Sequence, residues 1–273
     1  MTDKANKVGK AKKARPSVFG AARVRANTAA GSATQPESAR VAPPKAKLLV
    51  SVRSADEAGV AIEAGVDFID VKEPSRGPLG MPHHETVAAV LEVVNGRVPV
   101  SAALGEWSES ILTAAHWHLE LPLTYVKWGL AGYTGGPGWG EDLLQTRRDV
   151  PAPIEVVATA YVDWEKANSV PPAEVVKFAK RFRYRAFLLD TFQKDGRTLF
   201  DHLDHGEVAE LIESLQKSGI LVALGGSLKP EQVKVLGNVA PDYYAVRGSV
   251  CVGGKRDGEL DPLRVRKWKD AIG

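Results

Sequence analysis

Eight short apolar runs, separated by stretches with helical spacing, limit what this chain can become. They are Leu48–Val52, Phe68–Val71, Val98–Leu104, Thr124–Lys127, Ile154–Ala160, Ala186–Leu189, Leu221–Leu224 and Tyr243–Val246. Each is nearly continuously apolar rather than alternating, so each reads as a strand buried on both faces and paired in parallel. Between them Ala55–Ala64, Val87–Val94, Glu207–Lys217 and Pro230–Leu236 carry amphipathic helical spacing. Gly219 and Gly237 mark helix ends, and Pro171-Pro172 opens the helix after the fifth run. Eight such units suit an α/β chain folded as a (β/α)8 TIM barrel, for which roughly 250 residues is typical. A doubly wound open sheet is the alternative. It is disfavoured because no glycine-rich nucleotide fingerprint follows the first run.

The segment before the first run differs in kind. Residues 1–47 hold eleven Lys and Arg against Asp3 and Glu37, a net charge of +9, so residues 48–273 carry −6 of the chain's total of +3. The segment is rich in Ala, Ser, Thr and Pro and has no sustained apolar period. We therefore expect residues 1–46 to be a disordered basic tail, and residues 47–273 to form one catalytic barrel domain. The tail lacks the apolar core of a secretory signal. Its composition also resembles an organellar transit peptide, but a solvated extension is the preferred reading. No stretch is long and apolar enough to span a membrane. An acidic body argues against a nucleic-acid partner. The single cysteine, Cys251, forms no internal disulfide framework and fits a reducing, cytoplasmic setting. Trp107, Trp117, Trp128, Trp139 and Trp164 are expected to cover the core or an interface, and a homo-oligomer is expected.

In a barrel, chemistry belongs at the carboxyl ends of the strands. The second run ends Asp70-Val71-Lys72-Glu73-Pro74, and residues two apart on a strand share a face. A lysine at the end of an interior strand must be paired or must lose its proton. A neutral amine there is the nucleophile that carbonyl chemistry uses. The fourth run ends in Lys127 and the sixth in Asp190, with Lys194 in the following loop. One lysine can then be nucleophilic while another stays charged or shuttles protons. The competing reading is a set of structural salt bridges across the mouth. After the seventh run stands Gly225-Gly226-Ser227, and after the eighth Arg247-Gly248. Glycine-rich loops at these two places are where barrels bind phosphate, with Arg247 expected to add a bidentate contact. The set implies a phosphorylated carbonyl substrate. His83-His84, and His202 with Asp204 and His205, lack ligand spacing, so no metal or organic cofactor is expected. Cys251 lacks a base partner. Gly132–Gly140 reads either as a loop closing over substrate or as a plain surface excursion.

Several of these motifs resemble one family. Leu49-Val50-Ser51, Asp70-Val71-Lys72-Glu73-Pro74 with Gly77-Pro78-Leu79-Gly80, Val100-Ser101-Ala102 and Tyr125-Val126-Lys127-Trp128-Gly129-Leu130 are similar to segments of the (5-formylfuran-3-yl)methyl phosphate synthases. So are Asp190-Thr191 with Lys194 to Asp201, Gly226-Ser227-Leu228-Lys229, and Val246-Arg247-Gly248 with Cys251, Gly253, Gly254 and Arg256. The resemblance covers about residues 48–258. It implies a barrel lyase of methanofuran biosynthesis that condenses two glyceraldehyde 3-phosphates, with loss of phosphate and water, to 4-(hydroxymethyl)-2-furancarboxaldehyde phosphate. By the same resemblance Lys72 forms the Schiff base, Lys127 accepts the proton, and Asp70, Asp190 and Lys194 complete the active site. Asp70 is expected to orient Lys72, and Lys127 to make its amine nucleophilic. Trp128 replaces the family's valine, the insert after Gly132 is glycine-rich, and the basic tail is additional, features that suggest a bacterial member. Another Schiff-base aldolase acting on a sugar phosphate, or a non-catalytic phosphate-binding barrel, are the alternatives.

Overall fold

A computed structural model of the chain describes residues 45–108, 115–136 and 138–273. The eight apolar runs become β1 (Lys47–Val52), β2 (Phe68–Val71), β3 (Val100–Glu106), β4 (Tyr125–Gly129), β5 (Glu155–Tyr161), β6 (Ala186–Asp190), β7 (Leu221–Leu224) and β8 (Tyr243–Val246). Each pairs in parallel with the next, and β8 pairs with β1, which closes the barrel. β3 begins later than its apolar run because Pro99, just ahead of it, has no amide to enter the ladder. It then runs two residues past Leu104 to Glu106, through a register shift against β4 between Ala103 and Glu106.

The helices follow their sequence signals. Those lying wholly among the described residues are α1 (Ala55–Glu63), α2 (His84–Val94), α3 (Trp139–Asp149), α4 (Trp164–Ala167), α5 (Pro172–Arg181), α6 (His205–Gln216) and α7 (Pro262–Ile272). Ser54 caps α1 by accepting from the Glu57 amide, and Asp204 and Glu207 form a reciprocal capping box on α6. Asp261 caps α7 with Pro262 at its first position. Pro230–Leu236, expected as a helix, is 3-10 in type: its ends close i to i+3, from the Gln232 amide to Lys229 and from the Gly237 amide to Lys234.

Two apolar regions hold the barrel. The larger lies between strands and helices, where Leu48, Val50, Val52, Ile69, Val71, Phe187, Leu189 and Val222 are buried against helical residues such as Ala58, Val87, Leu211 and Trp268. Inside the barrel the alternate residues point inward. Phe68, Tyr125 and Tyr243 gather there with ring centroids 5.5–6.1 Å apart, and Leu79, Ala103, Tyr161 and Leu188 pack together as a second cluster. Of the five tryptophans singled out from the sequence, Trp117 alone is largely exposed, at 62%. The expected tail, residues 1–46, lies outside the described residues except for Lys45 and Ala46. The Gly132–Gly140 segment, described apart from residue 137, leads into α3. Among the described residues no helix is long and apolar enough to cross a membrane.

Candidate active site

The inward-facing residues of β2 climb the barrel as Phe68, Asp70 and then Lys72, just past the strand end. Register places Asp70 beside Ser51 of β1 and Ser101 of β3. Its Oδ2 accepts from Ser51 Oγ at 3.0 Å, and its Oδ1 from Ser101 Oγ at 2.8 Å and from Lys127 Nζ. Lys127 Nζ also donates to Ser101 Oγ at 3.3 Å. Both charged groups are buried, and each is compensated by the other and by hydroxyls, as buried charge requires. The expected role of Asp70 is thereby corrected: its carboxylate holds Lys127, not Lys72.

A second pair forms at the end of β6. Lys194 Nζ lies 2.8 Å from Asp190 Oδ1 and 3.0 Å from Thr191 Oγ1, and the Thr191 amide donates to the same Oδ1 at 2.8 Å. Burial pushes the Asp190 carboxyl up. The charges of Lys194 and Lys72, with these hydrogen bonds, outweigh it and leave the group below the usual carboxylate range.

Lys72 lies between the two pairs and belongs to neither. Its side chain is buried, and among the described residues no hydrogen bond or ion pair joins its amine to an acceptor. Burial lowers its pKa to about 8, against the pull of Asp190 and Asp70, and Lys194 and Arg256 push the same way as burial. Lys127 was expected to make this amine nucleophilic; the lowered pKa itself comes first from burial, and the cationic neighbours that contribute are Lys194 and Arg256. Beyond Lys72 the chain turns away sharply. The Glu73 amide donates to the Gly80 carbonyl at 2.9 Å, and a Cβ on Gly80 would collide with the Glu73 carbonyl and with Arg76.

Two spaces meet at Lys72 and Asp190. An open cleft of about 670 Å³ extends over the ends of β6, β7 and β8, lined by Lys194, Gly226, Ser227, Gly248, Ser249 and Arg256 among others. A chamber of about 60 Å³ lies beneath, inside the barrel, with Ser51, Asp70, Ser101 and Lys127 on its wall. Lys127 therefore faces the chamber, and Lys72 faces both.

The expected phosphate residues divide. The amides of Gly226, Ser227 and Gly248 donate to no acceptor among the described residues, and all three residues line the cleft. Gly226 and Ser227 have positive φ (92° and 54°), which turns this short loop outward. Gly225 does a different job. Its amide donates to the Leu189 carbonyl at 2.8 Å, and a Cβ there would stand 2.9 Å from the Asp190 carboxyl, so it makes room for that group. Arg247 is corrected as well. Its guanidinium gives all five N–H groups to Glu57 Oε1 and Oε2 and to the carbonyls of Ser51, Arg256 and Gly258. No donor is left for a ligand.

Sequence reasoning missed Ser51 and Ser101 as site members, although both interrupt apolar runs and a hydroxyl there needs a partner. It also passed over Glu106 and Tyr161. Tyr161 donates to Glu106 Oε1 at 2.7 Å, and the Ala131 amide donates to Oε2 at 2.8 Å. Burial raises the Glu106 carboxyl, those two bonds oppose the rise, and Asp190 adds to it. Gly129 permits the contact, since a Cβ there would collide with both the Glu106 carboxyl and the Tyr161 hydroxyl.

The (5-formylfuran-3-yl)methyl phosphate synthase of Methanobrevibacter smithii is 33% identical over 230 residues, covering 82% of this chain and 97% of that protein. The corresponding enzyme of Methanocaldococcus jannaschii is 34% identical over 230 residues, covering 82% and 98%. Among solved structures, phosphoribosyl anthranilate isomerase from Thermus thermophilus superposes with a TM-score of 0.54 at 14% identity, over 83% of this chain and 98% of that one. At that identity the likeness concerns the fold alone. The profile of the 4-HFC-P synthase family matches residues 48–269, the whole barrel from β1 into α7, and the chain belongs to that family.

Proposed function

We propose that the chain is a lyase that condenses two molecules of glyceraldehyde 3-phosphate to 4-(hydroxymethyl)-2-furancarboxaldehyde phosphate, releasing phosphate and water, in the making of a methanofuran-type carrier. The names of its relatives support the product. One observation carries the chemistry: of the three lysines gathered around Asp70 and Asp190, Lys127 and Lys194 have a carboxylate each and Lys72 has none among the described residues. With a pKa of about 8, about a tenth of Lys72 is free amine at pH 7, against roughly three parts in ten thousand for an ordinary lysine.

In this reading Lys72 adds to the aldehyde carbon and, with loss of water, forms an iminium. The iminium acidifies the neighbouring C–H, and Lys127, after passing one of its protons to Asp70 along their hydrogen bond, takes that proton from below. The resulting enamine attacks the second aldehyde. Asp190 and Lys194 orient hydroxyls and phosphate at the rim, and the amides of Gly226, Ser227 and Gly248 hold a phosphate. Ring closure with loss of phosphate and water gives the furan.

The test is direct. Purified protein incubated with glyceraldehyde 3-phosphate should develop a furaldehyde ultraviolet band in step with released phosphate, and borohydride should fix a substrate adduct on Lys72. An acyclic sugar phosphate as product would instead point to a different Schiff-base aldolase. Full activity in Lys72→Ala would remove the amine mechanism.

A further inference from the structure

Arg247 and Arg256 lie close in sequence, yet their guanidinium groups do opposite things. Arg247 is consumed internally, and two of its bonds, at 2.8 Å each, go to the carbonyls of Arg256 and Gly258. The excursion from Cys251 to Leu260 is pinned further by the Val252 amide on Glu259 (2.9 Å), the Gly258 amide on Lys255 (3.0 Å) and the Asp261 amide on Val250 (2.9 Å). Gly248 lets this loop pack closely, because a Cβ there would stand 3.2 Å from the Gly254 carbonyl and 3.8 Å from the Arg256 amide. So much backbone fixing aims one side chain. Arg256 reaches to the Gly77 carbonyl in the loop after β2, 3.1 Å from its Nη2, and lines the cleft together with Lys72. That carbonyl is the one protein acceptor its guanidinium has among the described residues. The other donors of this five-donor fork have no protein acceptor among the described residues, and the residue lines a cleft where planar recognition of an oxyanion is what such a fork does best.

We infer that Arg256 is a second phosphate-recognition residue, on the β2 side of the cleft, separate from the amide cradle of Gly226, Ser227 and Gly248. This rests on the synthase reading above, in which two phosphates enter and one is kept. The cradle offers neutral dipoles, which suit a phosphate whose charge is constant. Arg256 offers a full charge beside Lys72, which suits the phosphate that leaves. That phosphate departs with the electron pair of its C–O bond, while the adjacent carbon gives its proton to a base and gains the double bond. Arg247 is then a positioning residue for Arg256.

Equilibrium dialysis of the full chain against radiolabelled inorganic phosphate tests the site without depending on turnover. Wild type should bind two phosphates per chain and Arg256→Met one. Arg256→Lys should keep both, the second weakened about tenfold, because a lysine replaces the fork by a point charge. An Arg256→Met protein with wild-type stoichiometry and affinity would overturn the inference, as would a single phosphate in wild type. If Arg256→Met fails to fold by circular dichroism, Arg256→Lys carries the test, and unchanged affinity at both its sites is the refuting result. Conversion of glyceraldehyde 3-phosphate by wild type judges the synthase reading independently. Two dialysable phosphates without turnover would discard the departing-phosphate role, and turnover with an unaffected Arg256→Met dialysis would discard the site alone.

Discussion

Replacing Lys72 by methionine should stabilise this protein while abolishing its chemistry. The amine titrates near 10.5 when unfolded and near 8 in the barrel. That gap is worth about 3 kcal/mol, at roughly 1.4 kcal/mol per unit of pKa. The sign follows from the depression. Below pH 8 both states carry the proton and the folded state bears the whole cost of burying it. Between pH 8 and 10.5 the unfolded chain binds more protons, so stability rises with pH, and above 10.5 the cost is gone. Methionine keeps the apolar stem and removes the charge. Asp190 loses one of its cationic neighbours but keeps Lys194 at 2.8 Å. We therefore expect Lys72→Met to gain about 1–3 kcal/mol at pH 7, below the full titration value because of that loss. Urea denaturation followed by tryptophan fluorescence, at pH 7 and at pH 10, reads it: the gain should be largest at pH 7 and shrink toward pH 10. If Lys72 were instead a member of a structural salt-bridge network, methionine would cost about 3–5 kcal/mol, as breaking a buried pair does. A loss of that size, with no pH dependence, would refute the idea that this lysine is held at the expense of stability.

Four other outcomes follow from the same geometry. The pH profile of kcat/KM should rise as Lys72 loses its proton and level off above about pH 8. Lys127→Met strands the Asp70 carboxylate on two hydroxyls and should cost about 3–5 kcal/mol in urea melts, much of it recovered when Asp70→Asn is added. Arg247→Met leaves Glu57 buried without its partner and releases the carbonyls of Arg256 and Gly258; a comparable loss of stability is expected, partly restored by Glu57→Gln. Gly129→Ala forces Glu106 and Tyr161 apart and should cost about 1–3 kcal/mol, seen as a lowered denaturation midpoint.

The barrel was legible because burial on both faces leaves little choice of residue: all eight apolar runs became strands, most within a residue or two of their expected limits. Lys72, Lys127, Asp70, Asp190 and Lys194 were legible as a group, since charge at the end of an apolar strand has few other uses. Their pairing was not. Sequence spacing put Asp70 beside Lys72, whereas the closed barrel brings Lys127 down into the interior from two strands away and gives it the carboxylate first. Ser51 and Ser101 became meaningful only through a strand register that spacing does not reveal. The same limit misassigned Arg247. Its position after β8 was right for a phosphate ligand, but Glu57 on α1 faces it across the closure of the barrel, 190 residues away in sequence.

Charge balance explains why the site takes this form. Two carboxylates, Asp70 and Asp190, each claim one lysine, Glu57 claims Arg247, and Lys72 and Arg256 have no carboxylate partner of their own among the described residues. Had there been a third carboxylate beside Lys72, its amine would be held protonated and would be no nucleophile. Had the Asp70 pair been absent, Lys127 would sit in a chamber of about 60 Å³ with no counter-charge, and the fold would bear two unbalanced amines instead of one. Lys72 and Arg256 lack a carboxylate of their own among the described residues, and the anions inferred above would supply that charge. The consequence can be measured: inorganic phosphate should raise the Lys72 pKa and the denaturation midpoint together, and Arg256→Met should weaken both responses. Phosphate that raised the midpoint without moving the titration of Lys72 would mean that anions bind away from the amine.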